Sequence, residues 1–130
     1  MITVLIKTES HYRVDLSRVR ETIAGFLREK GVRGNCEVSL SVVGDRLMRR
    51  LNSQYRNLNE SAVILSFPFT DEKGRVPFAS PPDDVLRLGE IVISYPQVRE
   101  LAIEENKLID DKIDELVLHG IRHLLGNESE

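Results

Sequence analysis

The chain of 130 residues has almost no cysteine and no long apolar run. Its one cysteine, Cys36, lies in the strand-like segment NCEVSLSVVG, where a lone cysteine is typically a small core residue, and a disulfide scaffold is excluded. No apolar run approaches the ~18–20 residues that cross a bilayer. The first residues, MITVLIKTESHYR, lack the basic leader and the cleavage site of a signal peptide. We therefore expect a cytoplasmic protein without a membrane partner.

Repeats, low-complexity tracts and internal linkers are also missing, which predicts one domain over residues 1–130. The formal charge of −3 disfavours non-specific DNA binding, because that binding depends on many Lys and Arg residues. The charge is uneven. Residues 1–60 carry 11 Lys and Arg against 7 Asp and Glu, whereas residues 61–130 carry 7 against 14. The basic half is either an ordinary solvated surface or a face that binds a short stretch of RNA.

Hydrophobic periodicity predicts eight elements in the order β-α-β-α-β-β-α-α. The predicted strands lie at 2–7, 36–44, 62–69 and 88–95, and the continuous apolar run AVILSFPF of the third predicts burial on both faces. The predicted helices lie at 15–31, 45–57, 96–107 and 109–125, and a loop is predicted at 70–87. This order favours an α/β (α+β) fold in which a single layer of mixed β-sheet packs against helices.

The segment HGIRHLLGNESE places two histidines in the last predicted helix. Their spacing of four residues puts His119 and His123 on the same side of the helix, as two ligands of one metal ion require. Gly126 is a natural helix stop that lets the chain bring back a third group. The spacing alone leaves two interpretations open, a metal site or two histidines that bind no metal. Gly120 stands where a metalloprotease would carry its glutamate base.

Four segments in order, LNSQYRN, LSFPF, LGEIVIS and HGIRHLLG, resemble the YbeY family of rRNA-maturation endoribonucleases. The resemblance covers roughly residues 35–126. The positions that match the family's motifs are Leu51, Asn52, Tyr55, Arg56, Leu65 to Pro68, Gly89 to Ile93 with Glu90 in place of aspartate, His119, Gly120 and His123 to Gly126.

The resemblance implies one zinc ion held by three histidines, a nearby arginine and a single-stranded RNA substrate. It makes His119 and His123 metal ligands, Arg56 a catalytic residue that also binds the scissile phosphate, and Ser66 a substrate-binding residue. A metal ion that activates water and an arginine that clamps the phosphate together suit phosphodiester hydrolysis. The alternative for Arg56 is a surface or structural ion pair.

The resemblance fails at the third histidine, whose position is Ser129 here, with Glu128 before it. The loop after Arg56 also differs, because NLNESAV lacks the family's lysine, proline and threonine. Three alternatives follow for the third ligand: a carboxylate from Glu128 or Glu130, a water molecule, or no stable metal binding. Glu128 is the predicted ligand, since two histidines and one carboxylate are a known zinc ligand set.

Two functions of different classes remain. The first is a metal-dependent endoribonuclease that cuts single-stranded RNA in rRNA maturation. The alternative is a catalytically impaired factor of the same fold that binds RNA or assembling ribosomes, and a weaker third idea is hydrolysis of another substrate. We expect RNA or rRNA, and the small ribosomal subunit or assembly factors, as partners. We expect no DNA partner and a monomeric chain.

Overall fold

The computed structural model describes residues 1–9, 11–69 and 85–126. The predicted order of elements is confirmed: β1 Ile2–Thr8, α1 Leu16–Glu29, β2 Asn35–Val43, α2 Asp45–Arg56, β3 Ile64–Pro68, β4 Val85–Ser94, α3 Tyr95–Glu104 and α4 Ile109–Leu124. None of the helices in these ranges is long and apolar enough to cross a bilayer.

The four strands form one mixed sheet in the order β1-β2-β4-β3. β1 pairs in parallel with β2, β2 pairs in parallel with β4, and β3 runs antiparallel to β4. Helix α1 makes the crossover between β1 and β2, as parallel pairing requires. The predicted single layer of mixed sheet is therefore confirmed.

The two faces of this sheet carry different amounts of helix. On the first, which we call the helix face, alternate residues of β2 and β4 pack with α1, α3 and α4 around the main core. The side chains of the strands there are Cys36, Val38, Leu40, Val42, Ile91 and Ile93. On the second, which we call the open face, α2 is the one helix of the described ranges that packs: Met48 meets Val43, Leu65 and Val92. Cys36 is buried, as predicted.

The sequence prediction was wrong at β3 and at the start of β4. Of the residues of β3 only Leu65 is buried, because β3 is an edge strand with β4 as its neighbour in the sheet. An apolar run of strand length therefore did not mean burial on both faces. β4 begins at Val85, inside the predicted loop, because residues 85–87 continue the pairing with residues 35–37 of β2.

Several acidic residues around the α3–α4 turn form ion pairs. Lys112 is 4% exposed. Its ammonium donates to Glu105 at 2.8 Å and to Glu115 at 3.3 Å. On the other side of α4, Arg18 of α1 pairs with Asp111 at 2.5 Å and with Asp114 at 2.8 Å. These pairs hold α4 in register with its neighbours.

Candidate active site

Helix α4 carries both histidines and lies very close to the sheet at the residue between them. Its buried stripe is Ile113, Val117, Gly120, Ile121 and Leu124. A Cβ atom at Gly120 would lie 3.0–3.3 Å from side-chain atoms of Ile91 in β4. The missing side chain thus lets α4 approach the sheet. His119 is exposed beside this contact, and His123 is half-buried.

Ser66 connects the edge strand to the second histidine. Its Oγ lies 2.6 Å from Nδ1 of His123. A histidine that binds a metal through one ring nitrogen usually makes such a hydrogen bond with the other, which fixes the tautomer and the orientation of the ring. This contact leaves Nε2 of His123 available for a ligand. The predicted substrate-binding role of Ser66 stays a prediction.

Gly89 brings three elements together behind this contact. Its φ of +149° is unfavourable for residues with a side chain. A Cβ there would clash with the carbonyl oxygen of Phe67 in β3 and would lie 2.8 Å from Cδ2 of Leu124 in α4. A glycine at this position therefore allows β3 and the end of α4 to meet, and so places Ser66 beside His123.

The described residues supply two of the predicted metal ligands. Within residues 1–9, 11–69 and 85–126 no three His, Cys, Asp or Glu side chains form a group able to hold a metal ion. Gly126 has a φ of +83°, which confirms the predicted helix stop. Glu128, the predicted third ligand, lies outside the described residues, as do Ser129 and Glu130. Two imidazoles, one oriented by a hydroxyl, fit part of a zinc ligand set.

Arg56 is the last residue of α2 and is exposed. In the described part of the chain no hydrogen bond or ion pair holds its guanidinium, and none joins it to His119 or His123. The backbone after it is fixed, because Asn57 adopts a left-handed conformation and the Asn52 side chain donates to the Glu60 carbonyl at 2.9 Å. Arg56 is thus a free cation on an anchored helix end.

Asp45 anchors the other end of α2. This role was not predicted from the sequence. Its Oδ1 accepts hydrogen bonds from Ser61 and Ser94, both at 2.8 Å, and from Gln97 at 3.1 Å. Burial opposes ionisation of the carboxyl, but these bonds and the charge of Arg49 outweigh it and hold the pKa of Asp45 below its usual value. The only signal in the sequence was an acidic residue at a helix start.

Comparison with known proteins agrees with this arrangement. The model of the family described as Endoribonuclease YbeY matches residues 5–130. The Endoribonuclease YbeY of Dehalococcoides mccartyi is 30% identical over 130 residues, which cover 96% of this chain and 76% of that protein. The protein of the same name from Roseiflexus castenholzii is 35% identical over 117 residues, which cover 90% of this chain and 72% of that protein.

A solved structure is similar over the whole chain. The solution structure of TM1509 from Thermotoga maritima superposes with a TM-score of 0.64 at 26% identity, covering 100% of this chain and 75% of that one. The family match over residues 5–130 includes the helix with the histidine pair and the edge strand beside it. The chain belongs to the Endoribonuclease YbeY family.

Proposed function

We propose that this protein is a metal-dependent endoribonuclease that cuts single-stranded RNA in rRNA maturation. The relatives named above are endoribonucleases by name. The observation that carries the proposal for this chain is the 2.6 Å contact between Ser66 and Nδ1 of His123. It orients one imidazole of an i, i+4 pair, which is how a metal-binding histidine is commonly held.

In this proposal each residue has one task. His119 and His123 hold a zinc ion, and the Ser66 hydroxyl oxygen accepts a hydrogen bond from Nδ1–H of His123 so that Nε2 faces the ion. When bound, zinc supplies Lewis-acid chemistry, acidifying water and polarising a phosphoryl oxygen. Arg56 binds the scissile phosphate through its free guanidinium and stabilises the charge that develops during attack. Glu128 completes the ligand set with a carboxylate.

The first experiment is a cleavage assay on single-stranded RNA with zinc-loaded protein. His119→Ala, His123→Ala and Arg56→Ala are each expected to abolish cleavage. His11→Ala is the matched control, because His11 is an exposed histidine whose ring contacts Tyr12 and no site residue. Cleavage that survives all three site substitutions would assign the activity to a contaminant.

A second experiment addresses the third ligand. Zinc is titrated by calorimetry into chelator-stripped protein, His123→Ala and the double variant Glu128→Ala/Glu130→Ala. Binding at one site that is lost in His123→Ala and weakened in the double variant is the expected result. The alternative function, an impaired RNA- or ribosome-binding factor, instead predicts RNA binding that resists chelation and no cleavage by the wild-type protein.

A further inference from the structure

A cavity of about 340 Å³ lies on the open face of the sheet, beside α2. Its volume is in the range of small-molecule sites, and its floor is apolar. Four aliphatic side chains form that floor, and three aromatic rings and two polar residues complete the lining: Val43, Leu47, Leu51, Val92, Tyr55, Phe67, Phe69, Ser41 and Glu90. The cavity is separate from the histidine pair, since α4 packs on the helix face of the sheet.

Aromatic residues are concentrated at this cavity. The whole chain has four Phe and three Tyr and no Trp, and three of these seven rings line it. Tyr55 is 58% exposed and Phe69 is 46% exposed, although a soluble domain usually buries large rings. The rings of Tyr55 and Phe67 lie 4.9 Å apart between centroids, at an angle of 56°. Exposed rings of this kind stack on unpaired nucleobases.

Glu90 places a carboxylate in this apolar lining. Its Oε2 accepts a hydrogen bond from the Ser41 hydroxyl at 3.1 Å. In the described ranges no Lys or Arg side chain forms an ion pair with Glu90, and no second hydrogen bond to its side chain is present. A carboxylate beside apolar walls needs N–H donors, because it can only accept hydrogen bonds. An occupant of the cavity should therefore present such donors.

Among the four RNA bases, guanine fits this requirement best. Its Watson–Crick edge carries two adjacent donors, N1–H and the N2 amino group, which match the two oxygens of a carboxylate. Adenine and cytosine place one amino group beside a ring nitrogen that is an acceptor. The lone pair of that nitrogen would face a carboxylate oxygen and repel it. Uracil has its single donor between two carbonyl oxygens. Proteins read unpaired bases through this edge while stacking on the base plane.

Two cationic residues are neighbours of the cavity lining. Arg56 follows Tyr55 directly at the end of α2. Glu90 and Ser41 also line a smaller cavity of about 230 Å³ that includes Lys7 of β1. These cations favour a ligand that carries phosphates beside its base. We propose that this cavity binds an unpaired guanine of the RNA substrate, with Glu90 on its Watson–Crick edge and Tyr55 on its plane, an inference that rests on the proposed function.

The test is fluorescence anisotropy on the full chain with labelled decaribonucleotides, one of uridine alone and one with a single central guanosine. We expect the guanosine oligomer to bind roughly tenfold more tightly, as a bidentate base contact typically provides. Glu90→Gln should remove this preference, and it should change the affinity for the uridine oligomer no more than the control does. The control for the loss of one negative charge is Glu37→Gln, because Glu37 pairs with Arg87 at 3.4 Å and does not line the cavity.

Inosine in place of guanosine repeats the test without changing the protein. It lacks the N2 amino group, so most of the preference should disappear. Equal binding of all three oligomers by the wild-type protein overturns the inference, as does a preference that survives in Glu90→Gln. Binding of arginine amide that is lost in Glu90→Gln, in a protein without a preference for the guanosine oligomer, also overturns the inference and would assign the cavity to an arginine of a protein partner. Cleavage lost in His123→Ala would still support the proposed function in each case.

Discussion

At the scale of single residues, the hydrogen bond between Ser66 and His123 has the most direct bearing on the chemistry. It joins the edge strand to the last helix and leaves one ring nitrogen of His123 without a partner among the described residues. Ser66 was predicted to touch substrate, and the resemblance alone could not show its neighbour. The two residues are 57 positions apart, so only the packing of α4 on β3 reveals the contact.

Ser66→Ala should weaken zinc binding by about 10- to 100-fold, because loss of an orienting hydrogen bond typically costs this much in metal affinity. The measurement is calorimetric titration of stripped protein with zinc. Ser53→Ala, an exposed serine of α2, is the control. Unchanged zinc affinity in Ser66→Ala would show that His123 does not need this partner.

Asp45→Asn should lower the free energy of unfolding by about 1–3 kcal/mol at neutral pH, since it weakens three hydrogen bonds to an ionised group. The pKa of Asp45 is lowered in the folded protein, so its stabilising contribution is complete above the ordinary carboxyl pKa of about 3.9. The contribution is lost as the pH falls through the folded value.

Urea denaturation at a series of pH values measures this effect. The difference between wild type and Asp45→Asn should be constant near neutrality and shrink below about pH 4. Glu100→Gln, at an exposed position of α3, should show no such pH-dependent difference. A difference that grows toward low pH would contradict the assignment.

At the scale of elements, local sequence patterns correctly predicted each helix and strand, but they did not predict where each strand lies in the sheet. The start of α1 is an example of success: the predicted helix began at Asp15, and Asp15 caps the observed helix by accepting a hydrogen bond from the backbone N–H of Arg18 at 3.1 Å. Clean alternation likewise identified β2. The prediction that β3 is buried on both faces was wrong, because the sequence AVILSFPF does not distinguish a central strand from an edge strand. The donors around Asp45 come from residues 16 to 52 positions further along the chain, which leave no local pattern.

Gly89→Ala should destabilise the fold by about 3 kcal/mol or more, because the added methyl group meets the Phe67 carbonyl and the backbone conformation becomes strained. Thermal unfolding measures the change. Gly25→Ala is the matched control: Gly25 lies within α1, its Cβ would come no closer than 4.0 Å to Arg28, and alanine should stabilise the helix by about 1 kcal/mol. The two substitutions should therefore change the stability of the fold in opposite directions, and equal changes would rule out a special role for Gly89.

At the scale of the whole molecule, the charge is distributed so that an acidic chain still offers a basic helix. Four arginines of α2 are exposed, Arg46, Arg49, Arg50 and Arg56. In contrast, Asp111 and Asp114 of α4 pair with Arg18, and Glu115 pairs with Lys112. Net charge alone would argue against an RNA partner, but the exposed arginines of α2 form a local basic surface.

The affinity for single-stranded RNA should fall steeply between about 50 and 200 mM salt, because each phosphate contact releases counterions. Arg49→Gln should reduce the slope of log affinity against log salt by about 0.7, the value for one contact to a single strand. Arg99→Gln, an exposed arginine on α3, serves as the control and should leave the slope unchanged. An unaltered slope in Arg49→Gln would remove that arginine from the binding surface.

The strand order β1-β2-β4-β3 has a consequence for how the chain acquires its shape. The central neighbours β2 and β4 pair residues that are about fifty positions apart, for example Leu40 with Ile91. Such distant pairing slows folding, because a long loop must close before the contacts form. During synthesis the sheet cannot be completed until β4 has left the ribosome, and α4 follows β4 in the chain. The histidine pair is therefore assembled among the last parts of the molecule.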